Sequence, residues 1–258
     1  MKVKALLTTE QERSDCTLQA VINGVNRGVI YVDNPHEPLM AVVYAVGLRF
    51  FFIGGVPDKS KWEELGDFIF NQLKDDSFTL CGGTWFSASL YHEGWKNVLE
   101  QVAAHKGATI EYDCTYQRRF DVHPDRGLPK GYSLEKMNAA HARNALVHPE
   151  FIEYWYSIED FMEMGIGYVM KQDEDIVCVC YSCSVNGNEH ELYIATFSDA
   201  NRGQGLATYA AAAYLNQCAK RNVIARWTTD EANQASKRVA EKIGFYDPFK
   251  VPVLECSF

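Results

Sequence analysis

No stretch of the 258-residue chain approaches the roughly 20 apolar residues that a bilayer-crossing helix needs, so a helical membrane span is excluded. No export leader is expected either: between Met1 and Asp15, the charges of Glu10, Glu12, Arg13 and Asp15 arrive before any apolar core can form. The expected location is the cytoplasm. Positive charge is the scarcer sign, with 25 Lys and Arg against 34 Asp and Glu and a net charge of −9. No run of lysine and arginine can track a phosphate backbone, which argues against nucleic acid as a partner. Low-complexity tracts and short tandem repeats are absent, which sets solenoids aside. Cys178, Cys180 and Cys183 cluster, but no second pair of soft ligands stands at a matching distance, so no metal is expected. These three read as small buried residues of an apolar strand, and the eight cysteines together as free thiols.

Present in abundance is apolar material, 47% of the residues, enough for a sizeable core or two. The segment from Asp121 to Gly131 packs two prolines and two glycines between strand-like stretches and reads as a linker. It divides the chain into an α/β domain over 1–125 and a second domain over 131–258. In the first, Leu39 to Val46 and Arg49 to Gly54 suggest a hairpin around Gly47. Trp62, Leu65, Phe68, Ile69 and Leu73 form one stripe on a helix from about Lys59 to Lys74. Ser77 to Leu80 then reads as a strand, Glu93 to Lys106 as a helix ending near Gly107, and Thr109 to Asp113 as a strand.

In the second domain, the spacing predicts a strand over Tyr132 to Met137 and helices around Asn138 to Ala145 and Ile158 to Met164. Strands follow at Gly167 to Met170, Val177 to Val185 and Glu191 to Phe197. A helix over Leu206 to Arg221, a strand over Val223 to Trp227, a helix over Asn233 to Ile243 and a last strand over Val251 to Phe258 complete the pattern.

Chemistry concentrates between the third of those strands and the alanine-rich helix. The loop Ser198-Asp-Ala-Asn-Arg-Gly-Gln-Gly-Leu-Ala207 leads into a helix start, where backbone amides lack intrahelical partners. Gly203 and Gly205 allow a tight turn and a close anion, the helix dipole favours negative charge there, and Arg202 adds donors. A plain helix start would look similar.

Arg202-x-x-Gly205-x-Ala207 after a strand resembles the pyrophosphate-binding signature of the GNAT superfamily of N-acetyltransferases, which read Arg or Gln, then Gly, then Gly or Ala. Asn233-Gln-Ala-Ser236, then a helix and Ile243-Gly244-Phe245, is similar to the Asn-x-x-Ser and Leu-Gly-Phe pattern that closes the coenzyme A cleft in that superfamily. The resemblance spans Gly131 to Phe258, and within the superfamily looks most like the bacterial group of zwittermicin A resistance-type acetyltransferases. That narrower likeness leans on Trp155, Phe161, Gly165 and Ile194-Ala-Thr196.

The resemblance implies a mixed central sheet flanked by helices, preceded by a smaller α/β domain that reads as a degenerate copy. It implies acetyl-CoA as co-substrate, held by Ile194, Ala195, Thr196, Arg202, Gly203, Gln204, Gly205, Leu206, Ala207, Thr208, Asn233 and Ser236. The acceptor it implies is a primary amine, expected to be a small molecule, that attacks the thioester directly, so no protein nucleophile is needed. Glu191 is the expected base, with Glu189 and His190 as rivals and a solvated strand end as the plain alternative. Asn233 and Ser236 are equally readable as the start of their own helix. Many relatives carry a tyrosine four residues before the glycine of Leu-Gly-Phe, whereas this chain has Ala240; Tyr246, another tyrosine or water would protonate the thiolate. In the first domain Gly54-Gly-Val-Pro-Asp-Lys59 stands where an anion loop would lie, and Pro57 and Asp58 argue against coenzyme A there. With the chain ending soon after the last strand, a closing hairpin is expected to be missing and the first domain to wall the acceptor site. The missing tyrosine keeps open a second reading, an acyl-CoA sensor without turnover. Oligomeric state is not legible.

Overall fold

In a computed structural model of the chain every residue is described except 1, 10, 12–14, 59, 61 and 119–126. Residues 121–126 of the expected linker, and Lys59 at the expected helix start, lie outside the described residues. Chain contacts separate two compact units, Met1–Cys114 with Lys250–Phe258, and Thr115–Phe249. Strand β5 (Thr109–Arg118) carries the chain from one to the other.

The first unit contains α1 (Cys16–Ile22), β1 (Gly28–Val32), β2 (Met40–Ala45), β3 (Phe50–Gly55), α2 (Trp62–Asp67), α3 (Lys74–Cys81), β4 (Trp85–Ser89) and α4 (Glu93–Val102), with β11 (Phe249–Ser257) from the far end of the sequence. Its strands lie in the order β1-β2-β3-β4-β11, antiparallel except for β3 beside β4. The expected hairpin is β2–β3, turned at Arg49 with φ 55°. Because strand side chains alternate, Val42, Tyr44, Phe51 and Ile53 join one core with Leu65, Ile69 and Trp95. Ala41, Val43, Ala45 and Phe52 join another with Leu18 and Val21 of α1. Both sheet faces are covered, which explains the unbroken apolar runs.

Ser77 to Leu80, expected as a strand, is helical. A π-helical turn over Phe68–Leu73 links α2 to α3, and Gly82 ends α3 in the left-handed conformation at φ 66°. The β-like pattern misled because Phe78 is 64% exposed, while Ser77 turns inward to the Tyr44 hydroxyl at 2.8 Å.

The second unit runs β6 (Tyr132–Lys136), α5 (Ala139–Ala142), α6 (His148–Tyr154), α7 (Ile158–Met164), β7 (Gly167–Gln172), β8 (Asp175–Asn186), β9 (Glu189–Thr196), α8 (Leu206–Lys220), β10 (Ile224–Asp230) and α9 (Gln234–Lys242). Strand order is β10-β9-β8-β7-β6, antiparallel except for β9 beside β10. Helix α6 is not among the expected helices; Pro149 lies in its first turn, where proline fits. Helix α8 lies on β7, β8 and β9 through buried Ala210, Ala211 and Tyr214, whose small neighbours let helix and sheet approach closely.

Each unit is thus a mixed sheet flanked by helices, and both show the succession hairpin, helix, parallel strand, helix. The contact units differ from the sequence division in two respects. The change falls at Cys114/Thr115, and the last strand lies with the first unit, where Val253 to Ser257 pair with Ser89 to Trp85.

Candidate active site

Strands β9 and β10 pair at three positions, Ile224 with Glu189, Ala225 with His190 and Arg226 with Glu191. Beyond Glu191 the pairing stops, although β9 continues to Thr196 and β10 to Asp230. The two strands therefore part, and Tyr193, Ile194, Ala195 and Thr196 on the parting edge are only half-buried. Glu191, itself buried, reaches into the split: its Oε1 accepts the Thr228 N–H at 2.6 Å. On the other side of β9, a bulge at Cys183 shifts the β8 register, so that Ser182 opposes Leu192 and Ser184 opposes Glu191. Bulges of this kind commonly re-aim side chains beside functional sites.

At the same end of β9 lies the glycine loop. The Ser198 hydroxyl caps a 3-10 turn over Asp199–Asn201, and the chain then passes through Gly203 at φ 74° and Gly205 at φ 80° before α8 begins. Both angles favour glycine strongly. A Cβ at Gly203 would meet nothing within 4 Å, and one at Gly205 only the Tyr209 ring edge at 4.0 Å, so open space lies in front of the loop. Among the described residues, the amides of Gly203, Gln204, Gly205, Leu206 and Ala207 have no backbone acceptor, while Thr208 and Tyr209 already bond to the Gly205 carbonyl. Five such amides at a helix N-terminus are an arrangement that can receive an anion. Arg202 is exposed and pairs with Asp199 at 2.7 Å, within reach of the same space.

Sequence reading missed the tether of this loop. The Tyr132 hydroxyl on β6 lies 3.0 Å from Asn201 Oδ1 and 2.9 Å from Gln204 Oε1, and Gln204 Nε2 donates to the Ala200 carbonyl at 2.7 Å. No local signal marks Tyr132, which stands some 70 residues earlier.

The three candidates for a base separate cleanly. Glu189 is taken by Arg226, whose Nη2 lies 3.0 and 3.1 Å from its two oxygens. His190 faces α8, where its Nδ1 and the Tyr214 hydroxyl both meet Ser182 Oγ, at 2.9 and 3.0 Å. Burial, with Arg221 nearby, pushes its pKa down to about 4, so the ring is neutral at pH 7. Glu191 alone stands at the split.

The second motif is structural in its visible bonds. Asn233 Oδ1 caps α9 by accepting the Ser236 amide at 3.0 Å, and the Ser236 hydroxyl accepts the Trp227 indole N–H at 2.9 Å. Ala240 is fully buried, Phe245 is packed, and Tyr246 is 74% exposed. Two buried thiols are held protonated, Cys178 pushed up to about 11 and Cys218 to about 12 by burial. Among the described residues no cluster of His, Cys, Asp and Glu could hold a metal ion, and no helix is long and apolar enough to cross a membrane.

In the first unit a cavity of ≈ 940 Å³ is lined by Gly55, Val56, Pro57 and Asp58 of the segment corresponding to the glycine loop, together with His92 and Trp95. The Trp95 indole donates to the Gly55 carbonyl at 2.9 Å and ties β3 to α4.

Comparison with known proteins follows the same line. The profile of the family described as GNAT acetyltransferase matches residues 5–254, so the likeness extends through the first unit and not only from Gly131 onward. An uncharacterized N-acetyltransferase, YdfB of Bacillus subtilis, is 25% identical over 229 residues, which cover 84% of this chain and 81% of that protein. Among solved structures, a GCN5-related N-acetyltransferase-like protein from Streptococcus suis superposes with TM-score 0.66 at 20% identity, covering 90% of this chain and 88% of its own. One from Kribbella flavida gives 0.60 at 15% identity, covering 97% and 96%.

Proposed function

The chain belongs to the GNAT acetyltransferase family, and on that premise we propose that it moves an acetyl group from acetyl-CoA to a primary amine of a small molecule, by direct attack within a ternary complex. The observation that carries this reading is the coincidence of two features at one end of β9: the parting from β10 and the loop with five unpartnered amides. A diphosphate fits that loop, since left-handed glycines, open space and N–H groups without a backbone acceptor occur together there, which suits a multiply charged anion.

Residues Arg202 to Ala207, with Thr208 in the first turn, hold the diphosphate; Phe197 donates to Val177 of β8, so by alternation Ile194 and Thr196 offer their backbone N–H groups at the open edge of β9, with Ala195 between them. Asn233 and Ser236 shape the opposite wall through the cap and the Trp227 bond. Acetyl-CoA supplies an activated acetyl group and a thiolate that can leave. Glu191 takes the proton of the incoming amine, directly or through a water, and a β9 amide steadies the oxygen on which charge develops. A thiol has an ordinary pKa of about 8.5, so the thiolate can depart to solvent, with Tyr246 as the side chain to test as a donor. We also read the first unit as a copy that has lost the anion loop, the zwittermicin A resistance-type group as the nearest kin, and the cytoplasm as the site of action.

The test is release of free thiol from acetyl-CoA in the presence of an amine panel, with binding of coenzyme A followed by calorimetry. Amine-dependent release is the expected result. Tight binding without turnover on any amine would instead support an acyl-CoA sensor, a reading that buried Ala240 and exposed Tyr246 keep in play. No binding at millimolar coenzyme A would overturn both.

A further inference from the structure

We propose that the acceptor carries at least one further ammonium group besides the amine that reacts, and that Glu150 and Glu153 of α6, with the rings of Tyr154, Tyr181 and Tyr193, hold that second charge. This inference rests on the transferase reading and names the substrate class for the same site.

Three tyrosine rings from three elements meet on one face of the second unit. Tyr181 of β8 and Tyr193 of β9 are direct cross-strand partners, with ring centroids 5.0 Å apart. Tyr154 of α6 closes the triangle at 5.8 Å from Tyr193 and 6.5 Å from Tyr181. Tyr193 follows Glu191 by two residues, so the alternation of a strand puts its ring on the side of that carboxylate, at the edge that β10 has left. Tyr154 and Tyr181 are buried and Tyr193 half-buried, which makes Tyr193 the mouth of the group.

Two further observations point to a cation. The Tyr181 hydroxyl is wholly buried and has no hydrogen-bond partner among the described residues, so it offers a lone pair to an incoming N–H donor. The field around the rings is negative. Burial first, then Cys183, Tyr193, Glu150 and Glu153, push the Tyr154 hydroxyl well up; burial, then Glu150, Cys183 and Glu153, push that of Tyr193 up to about 12; and burial, then Tyr154, Tyr193, Cys183 and Glu150, raise Tyr181, so carboxylates of α6 act on all three rings. The covering segments α5 to α7 carry Glu150, Glu153, Glu159, Asp160 and Glu163 against one arginine, Arg143, which reaches Glu159 at 3.4 Å. Aromatic faces backed by carboxylates attract ammonium groups, whereas a neutral or acidic tail would gain nothing or be repelled.

A matched series tests this: 1,4-diaminobutane, butylamine and 4-aminobutanoate, which present a positive, neutral or negative far end on one carbon spacing. The diamine is expected to exceed butylamine in kcat/KM by roughly tenfold, and 4-aminobutanoate to rank last. In the E150Q/E153Q double variant the diamine's advantage shrinks through a higher KM, with its kcat held. Tyr193→Phe keeps the advantage, and Tyr193→Leu reduces it. Equal use of diamine and butylamine, or an unaltered ratio in the double variant, overturns the proposal. Should no amine be acetylated, calorimetry of the diamine and of butylamine on the protein saturated with coenzyme A decides the same point. Preferential diamine binding then upholds the cation site while the transferase reading falls, and equal or absent binding ends both.

Discussion

Glu191 joins β9 to β10 by its side chain, Oε1 accepting the Thr228 N–H at 2.6 Å, immediately past the last backbone pair between those strands. The carboxylate thus occupies the apex of the split and is held there by the neighbouring strand. Thr228 is braced in turn, its Oγ1 lying 3.2 Å from Thr115 Oγ1. An acid fixed in this way is positioned before any substrate arrives.

Glu191→Gln keeps an oxygen for the Thr228 amide but removes the proposed base. Turnover is expected to fall by about a hundredfold or more, with coenzyme A affinity nearly unaltered. Thiol-release kinetics and calorimetry on the same sample check both halves, and retained turnover would move the base elsewhere.

Gly205→Asp and Gly205→Asn impose a similar left-handed backbone cost, about 1–2 kcal/mol, but only Asp adds charge to the cradle. The aspartate is therefore expected to weaken acetyl-CoA binding by at least about tenfold more than asparagine does. Equal affinities for the two variants would show that no anion sits there.

His190 is neutral when folded, its pKa lowered from 6.5 to about 4 by burial and then Arg221. Below pH 6.5 the unfolded chain takes up a proton that the folded chain refuses. Stability is fully present above that pH and drains away as pH falls toward 4, by up to about 3 kcal/mol. Urea denaturation at stepped pH reads the slope, and His190→Gln should flatten it.

Ser236→Ala strands the Trp227 indole N–H and is expected to cost about 1–2 kcal/mol of stability. If its hydroxyl also meets the pantetheine arm, coenzyme A affinity falls as well; with the bond to Trp227 in place we expect less than about a twofold change. Thermal unfolding and calorimetry distinguish the two.

Much of this was legible along the chain. Gly203 and Gly205 announce the loop because a left-handed backbone needs glycine, and α8 begins at Leu206 as its periodicity demands. Local rules fail where the cause is distant. The parting of β9 from β10 has no signature of its own, since Glu191 bonds to a residue 37 positions later. Tyr132 acts on a loop far downstream, and helical Ser77 meets the Tyr44 hydroxyl, 33 positions earlier. The partner of β11 was equally invisible: Val253 to Ser257 are ordinary strand residues whose place beside β4 is set by non-local pairing alone.

That pairing orders events during synthesis. The ribosome makes Met1–Cys114 first, yet this unit lacks a strand until residues 250–258 emerge, by which time all of Thr115–Phe249 has been available to fold. The half translated earliest is the half completed last. Nascent chains arrested before residue 250 leaves the ribosome should therefore present the unpaired edge of β4 to chaperones, and those carrying an added C-terminal linker that lets residues 250–258 emerge should have it paired.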